Sequence, residues 1–450
     1  MPTYLSTRRS TAVYDGITPA VHHFPDATAG LVLTIILAYL LPSRLIFPPL
    51  SELGKPGIAL GLGLLVWWAL SRLHPALATR GRQPMRWALA AYLVTIGTSY
   101  IAAQSRGMST LEANGAHRTI LIALAGGGVL LAAADGVLTR QRIDHVLRWL
   151  SWCATGMAFF ALSQFVLRID LTNYLKLPPV LMFQRELIGF DARGGGGLVR
   201  VAGTAGHYIE FSVLMVIGLM VSIHYARFSS SQRNRQIYGT LAIIQAGVIP
   251  ISLSRTGVLA LTAAILFFIM LWPLRTTFNV LVIGGILAAV IQVVRPGLLA
   301  TLRALIFAGD NDPSVQGRLE DYDYVAPFIS ERPWFGRGVG TWLPELYQLL
   351  DNQWLVTLVS AGIVGVTGLA AFFLSGIVVA GRVRRFSTSP RDRDLAAVLA
   401  VSLGVAAVTA FTYDALYFST YFLTMHLLLG LAGALWRVTW AERSNRSEAT

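Results

Sequence analysis

The chain has 450 residues, of which 54% are hydrophobic and only 13% charged, with a mean hydropathy of +0.59; that balance excludes a soluble enzyme and describes an all-α, polytopic membrane protein. Its net charge of +13 is interleaved with apolar runs and comes with no helix-turn-helix pattern, which excludes nucleic acid as a partner and assigns the charge to topology and to anionic membrane lipids. The single cysteine, Cys153, excludes intramolecular disulfides and thiolate metal clusters.

Residues 1–26 are polar, carry no cleavable signal peptide and are expected to be a cytoplasmic N-terminal segment. A bilayer core about 30 Å thick takes about 20 apolar residues per helix. About twelve such runs follow, near 27–41, 57–73, 86–103, 118–138, 145–167, 206–226, 237–253, 256–274, 277–295, 353–380, 394–412 and 417–437. Helices 1–9 thus occupy 27–295 and helices 10–12 occupy 353–437, with 438–450 a cytoplasmic tail. Only "SLSRTG" separates the seventh run from the eighth, so a tight hairpin is expected there. The basic stretches "RFSSSQRNR" and "GRVRRFSTSPRDR" fall on the cytoplasmic side of this topology, as the positive-inside rule requires.

Two segments on the opposite, outer side are long. The first, 168–205, contains "LPPV" and "DARGGGG", too rich in glycine for a regular helix and expected to be mobile. The second, 296–352, keeps aromatic residues and helical patterning in "GRLEDYDYVAPFI" and "TWLPELYQLL", which predicts a folded cap over the membrane domain. No repeat relates the two halves, which argues against a transporter built on inverted repeats.

Charge is concentrated at the outer ends. Arg255 sits in the hairpin at the start of the eighth helix, where unpaired backbone N–H groups, Ser254 and Thr256 would complete an anion site; the alternative is snorkelling or pairing with a loop carboxylate. His207 and Glu210 are three residues apart and are expected to share a helix face beside Arg200. Glu210 has the competing reading of a helix cap or of a counter-charge to Arg200. Arg318 and Arg337 lie in the long loop, and "FGRGVG" reads either as a phosphate cradle or as a glycine-rich turn. Asp351 and Asn352 open the tenth helix. Asp351 reads as an N-cap or as a carboxylate able to take a proton from a sugar hydroxyl.

Taken in order, "RVAGTAGHYIEF", "SRTGVLAL", a long outer loop with "PWFGRGVGTW", and "LDNQWLVTLVSAGIVG" resemble the O-antigen ligase and Wzy-type O-antigen polymerase superfamily over residues 198–380. The resemblance implies a bacterial cytoplasmic-membrane glycosyltransferase acting at the outer face. Such an enzyme passes a glycan from a polyprenyl-pyrophosphate carrier to an acceptor hydroxyl, with no nucleotide sugar, metal or other cofactor. Its partners would be the lipid-linked glycan, an acceptor glycan or second lipid-linked glycan, membrane lipids and other polysaccharide-assembly proteins. By the same resemblance the pyrophosphate falls on Arg255 and on Arg318 or Arg337, with Arg200 and His207 as further carry-overs. Where members place a histidine before the asparagine that opens the helix after the loop, this chain has Asp351. Either Asp351 or His207 is then the base, or substrate positioning dominates.

The residue chemistry agrees. A pyrophosphate leaving group gathers negative charge as the anomeric C–O bond breaks, and arginine binds phosphate oxygens bidentately while staying protonated. Attack from the opposite face would invert the anomeric centre. The alternatives from other classes are a transporter or flippase for a lipid-linked glycan or anionic polysaccharide, and a scaffold subunit of a polysaccharide-assembly machine.

Overall fold

The computed structural model describes residues 27–73, 81–175, 181–183, 191–192, 199–307 and 313–449. Among these, the helices in chain order are α1 (Ala27–Leu40), α2 (Pro56–Ser71), α3 (Pro84–Arg106), α4 (Thr110–Gly136), α5 (Arg140–Leu162), α6 (Tyr208–Phe228), α7 (Gln232–Val248), α8 (Arg255–Leu271), α9 (Leu274–Val294), α10 (Pro296–Phe307), α11 (Pro313–Glu331), α12 (Gln353–Phe386), α13 (Pro390–Thr409) and α14 (Ser419–Ala449). A helix stands at each expected apolar run, and α10 and α11 fill part of the long segment between α9 and α12. Six helices are long and apolar enough to cross a membrane: α4, α5 with its π-helical extension to Leu167, α6, α9, α12 and α14. Three more, α1, α2 and α8, are apolar but shorter.

Burial sorts these helices. Along α6, 89% of the apolar window is inside the bundle, so its all-round hydrophobicity is met by neighbouring helices. Along α9 only 6% is inside, and Phe278, Ile283, Ile286 and Val293 face outward. A face that apolar has no stable place in water; hydrocarbon is the solvent that fits it.

The described residues of the 168–205 segment hold a 3-10 turn at Leu171–Tyr174 and three short strands. Two minimal antiparallel ladders pair β1 (Leu45–Ile46) with β2 (Met182–Phe183) and β3 (Asp191–Ala192) with β4 (Val199–Arg200). "LPPV" and the glycine run of "DARGGGG" lie outside the described residues.

At the bundle end holding the N-terminus of α5 and the C-terminus of α4, four carboxylates are ion-paired. Asp135 is bound by Arg72 and Arg86, Asp144 by Arg140 and Arg391, Asp392 by Arg140, and Asp394 by Arg227 and His224. Asp135, one of the few polar groups within an apolar run, is fully buried and also accepts from Trp68 Nε1 at 2.8 Å. These partners answer the desolvation of each charge.

At the opposite end α12 is interrupted. Gly362 adopts φ 66°, ψ −166°, a combination open essentially to glycine alone. The break frees the carbonyls of Val359 and Ser360 and the amides of Ile363 and Val364. "PWFGRG" docks into the gap: Arg337 N donates to Val359 O at 2.9 Å and Gly338 N to Ser360 O at 2.8 Å, while Ile363 N donates to Pro333 O at 2.9 Å and Val364 N to Trp334 O at 3.1 Å. All four freed groups are thereby satisfied within the protein, the condition for irregular backbone at membrane depth. The expected helix in "TWLPELYQLL" does not form. That stretch is a series of turns, with Trp342 stacked on Tyr347 at 4.4 Å, because its side chains pack onto α11 and Pro344 interrupts the amide ladder.

A Cβ on Gly362 would lie 2.3 Å from the backbone of Trp334, whereas one on Gly381, in the same helix, meets nothing within 4 Å. Gly362→Ala is expected to destabilise the protein by more than about 2 kcal/mol, read as a lower Tm in detergent, with Gly381→Ala unchanged or slightly more stable.

Candidate active site

The loop of residues 410–418, between α13 and α14, is the floor of the site. Gln353, the first residue of α12, clamps it: the Gln353 amide donates to Ala410 O and Tyr413 O at 2.9 and 3.0 Å, and its Oε1 accepts from Leu416 N at 2.7 Å. From α11, Arg318 Nη2 donates to Thr412 O at 2.9 Å and stands 3.9 Å from Asp351 Oδ2. From α8, Thr256 Oγ1 lies 2.8 Å from Thr412 Oγ1. Arg318, Asp351 and Thr256 therefore converge on one loop, and Arg255 is the neighbour of Thr256 at the first, half-buried position of α8.

The helix caps decide which side chains remain for chemistry. Ser254 caps α8, accepting from Gly257 N at 3.3 Å. Asn352, not Asp351, caps α12: its Oδ1 accepts from Trp354 N and Leu355 N, and its Nδ2 donates to Tyr322 OH at 3.2 Å. The Asp351 carboxylate is left 61% exposed beside Arg318.

Two further carboxylates stand close to it. Asp321 is buried and accepts from Gln348 Nε2 at 2.8 Å; burial, then the charge of Asp351, push its carboxyl above the usual range. Asp414 lies in the floor loop itself, and burial followed by the charge of Asp351 pushes it up to about 7. Sequence reading passed over Asp414, Thr412 and Gln353. They fall in or next to short links between apolar runs, and only the fold brings them under Arg318.

Arg337 is placed elsewhere. Its guanidinium lies 5.2 Å from the Phe328 ring and 5.3 Å from that of Tyr347, donates to Tyr347 OH at 2.8 Å and stands 3.7 Å from Glu331. Phe328 is ten residues beyond Arg318 on α11, about 15 Å along the axis at 1.5 Å per residue. Arg337 is thus engaged in bracing the cap, and among the described residues no contact joins it to Arg318. "FGRGVG" is engaged in the fold: the amides of Gly336, Arg337, Gly338 and Val339 all donate within the protein, which favours the glycine-rich turn over a phosphate cradle.

Arg200, His207 and Glu210 do not form the expected group. His207 is the N-cap of α6, and its Nδ1 accepts from Ile209 N at 3.2 Å, so the neutral ring carries its proton on Nε2 and is a donor there rather than a base. Glu210 is fully buried and accepts from Gly206 N at 2.8 Å and Tyr421 N at 3.0 Å, tying α6 to α14. Among the described residues no ion pair joins it to Arg200, and its oxygens accept from backbone amides just before α6 and near the start of α14. Arg200 lies over the Tyr208 ring, 4.3 Å from its centroid, and donates to Tyr208 OH. These residues adjoin the first cluster: a Cβ on Gly257 would meet Ser212 Cβ at 2.7 Å, and His207 packs on Phe418 at 5.9 Å.

Residues 240–370 match the family described as O-Antigen ligase. The matched stretch contains Ser254, Arg255, Thr256, Arg318, Arg337, Asp351 and Asn352, and ends before Thr412 and Asp414. No curated protein matches the chain.

A carboxyl titrating near 7 accepts a proton only above that pH. A reaction that uses the Asp351–Asp414 pair as proton acceptor is expected to lose rate as pH falls through about 7. In Asp414→Asn the limb near 7 should be lost and the rate reduced, measured as a pH profile of turnover.

Proposed function

We propose, for a chain that belongs to the O-antigen ligase and polymerase superfamily through its domain at residues 240–370, that it transfers a glycan from a polyprenyl-pyrophosphate carrier to an acceptor hydroxyl at the outer face of a bacterial cytoplasmic membrane. In this reading all twelve expected runs cross the membrane and both termini are cytoplasmic. The observation that carries it is the meeting of Arg318, Asp351 and the Thr256–Thr412 pair on one clamped loop inside and beside the matched domain.

The donor's pyrophosphate is held by Arg318 and Arg255 at the start of α8. As the bond from the anomeric carbon to the pyrophosphate oxygen breaks, the charge gathering on that oxygen is stabilised by the guanidinium N–H groups of these arginines. The acceptor hydroxyl attacks the opposite face of the anomeric carbon, inverting it. The hydroxyl proton passes to the Asp351–Asp414 pair, and the polyprenyl pyrophosphate leaves ionised. His207 is a less suitable base because its Nδ1 is engaged in capping α6. No step calls for a metal.

The transporter reading is less favoured, since the buried carboxylates at the far end of the bundle are each ion-paired to arginine. Purified protein in nanodiscs, given a polyprenyl-pyrophosphate oligosaccharide and an acceptor glycan with EDTA present, is expected to release polyprenyl pyrophosphate and an extended or relocated glycan. Arg255→Ala should lose at least about 100-fold in rate. Donor movement across the bilayer without glycan transfer would support the flippase and refute the transferase.

A further inference from the structure

Most aromatic rings of the cap are spent on one another. Tyr324, Phe328, Trp342 and Tyr347 pack together at centroid distances of 4.4 to 6.0 Å. Tyr322 stands apart: it is 51% exposed, and no ring stacks on it among the described residues. It follows Arg318 by four residues on α11, so the two share a helix face. Its hydroxyl accepts from Asn352 Nδ2 at 3.2 Å, which pins the ring beside Asp351.

A second half-open ring belongs to the floor loop. Tyr417 is 50% exposed and ends the 3-10 turn Ala415–Tyr417, its amide donating to Asp414 O at 3.3 Å. It too is held. Phe418 meets it edge-on at 5.8 Å, and the Lys55 ammonium, ion-paired to Glu52 at 2.6 Å, stands 5.8 Å from its centroid. One ring thus comes from the cap and one from the floor, each next to one member of the Asp351–Asp414 pair.

A single exposed tyrosine is ordinary on a protein surface. Two that are fixed, half open and set beside both carboxylates of one cleft point to a ligand with an apolar face and a polar rim. A pyranose ring has that form: its C–H groups carry partial positive charge that suits the negative face of an aromatic ring, and its hydroxyls project around the edge. Rings already held in place lose little freedom when they bind.

We propose that Tyr322 and Tyr417 form the seat for the acceptor's sugar ring, gripping its C–H face so that a rim hydroxyl meets Asp351 and Asp414. Naming that sugar the acceptor rests on the glycan transfer proposed above; the stacking of a pyranose on these two side chains does not.

Binding is tested on the full chain without donor, in nanodiscs free of sugar-headed detergent, by saturation-transfer NMR. The probes are cellotetraose and maltotetraose, with sorbitol as an open-chain polyol. Saturation is expected at the ring C–H protons of both oligosaccharides and not on sorbitol. Tyr322→Leu and Tyr417→Leu should each weaken binding at least about threefold, and the phenylalanine variants should retain it. Equal signals from sorbitol, or unchanged binding in both leucine variants, would overturn the seat. So would a fall in Tm with binding unchanged, which would make the rings anchors at the headgroup level. In the transfer assay the leucine variants should raise acceptor KM at least about threefold, with donor KM and the acidic limb of the pH profile unmoved; a rise in donor KM alone would overturn the acceptor assignment. Tyrosine-dependent pyranose binding with no transfer at all would refute the transferase and leave the seat standing.

Discussion

The interruption of α12 at Gly362 is the constraint on which the cap, and through it the site, depends. A continuous helix would close its own amide ladder and leave "PWFGRG" nothing to hold. The break exposes two carbonyls and two amides where water is scarce, and those groups are satisfied by residues 333–338. Ser99 reinforces the joint, donating to Ser360 O and accepting from Val339 N, both at 2.9 Å. With its C-terminal end so anchored, α11 crosses the mouth of the bundle and delivers Arg318 to Thr412 and Asp351. The cap is an extension of the membrane helices rather than a loose lid.

Charge is distributed by the same logic. At one end of the bundle each buried carboxylate has an arginine within ion-pairing distance, and those residues act as struts. At the other end the pattern loosens: Asp351 stands 3.9 Å from Arg318 and mostly exposed, Asp414 is pushed towards neutrality, and Arg200 keeps unused donors. Incomplete pairing of these charges leaves coordination capacity for a ligand beside the matched domain's polar residues.

Helix positions were legible in the sequence because hydrocarbon thickness imposes a simple length rule, and the runs at 206–226 and 353–380 reappear as α6 and α12. The break between α7 and α8 was legible from "SLSRTG", where a 3-10 turn over Pro250–Ser252 and the Ser254 cap separate the two helices. The site was legible only in part. Arg318, Asp351 and Thr256 belong to the family resemblance and do meet, but their common contact, Thr412, lies over 60 positions beyond Asp351 in a link with no motif of its own. The spacing of His207 and Glu210 misled because a residue at the N-cap leaves the helix path, so the rule of three residues per face fails there. The helical pattern of "TWLPELYQLL" misled because tertiary packing against α11 outweighs local propensity.

Whether Arg318 and Asp351 work as one unit is the most direct test of the proposed chemistry. In a double-mutant cycle on kcat/KM for glycan transfer, Arg318→Gln, Asp351→Asn and the double variant would be compared in nanodiscs at fixed donor and acceptor. A shared site predicts that the double variant is about as impaired as the worse single one, because either change already dismantles the constellation. Losses that multiply would mean the two residues act independently, contradicting their assignment to a single centre.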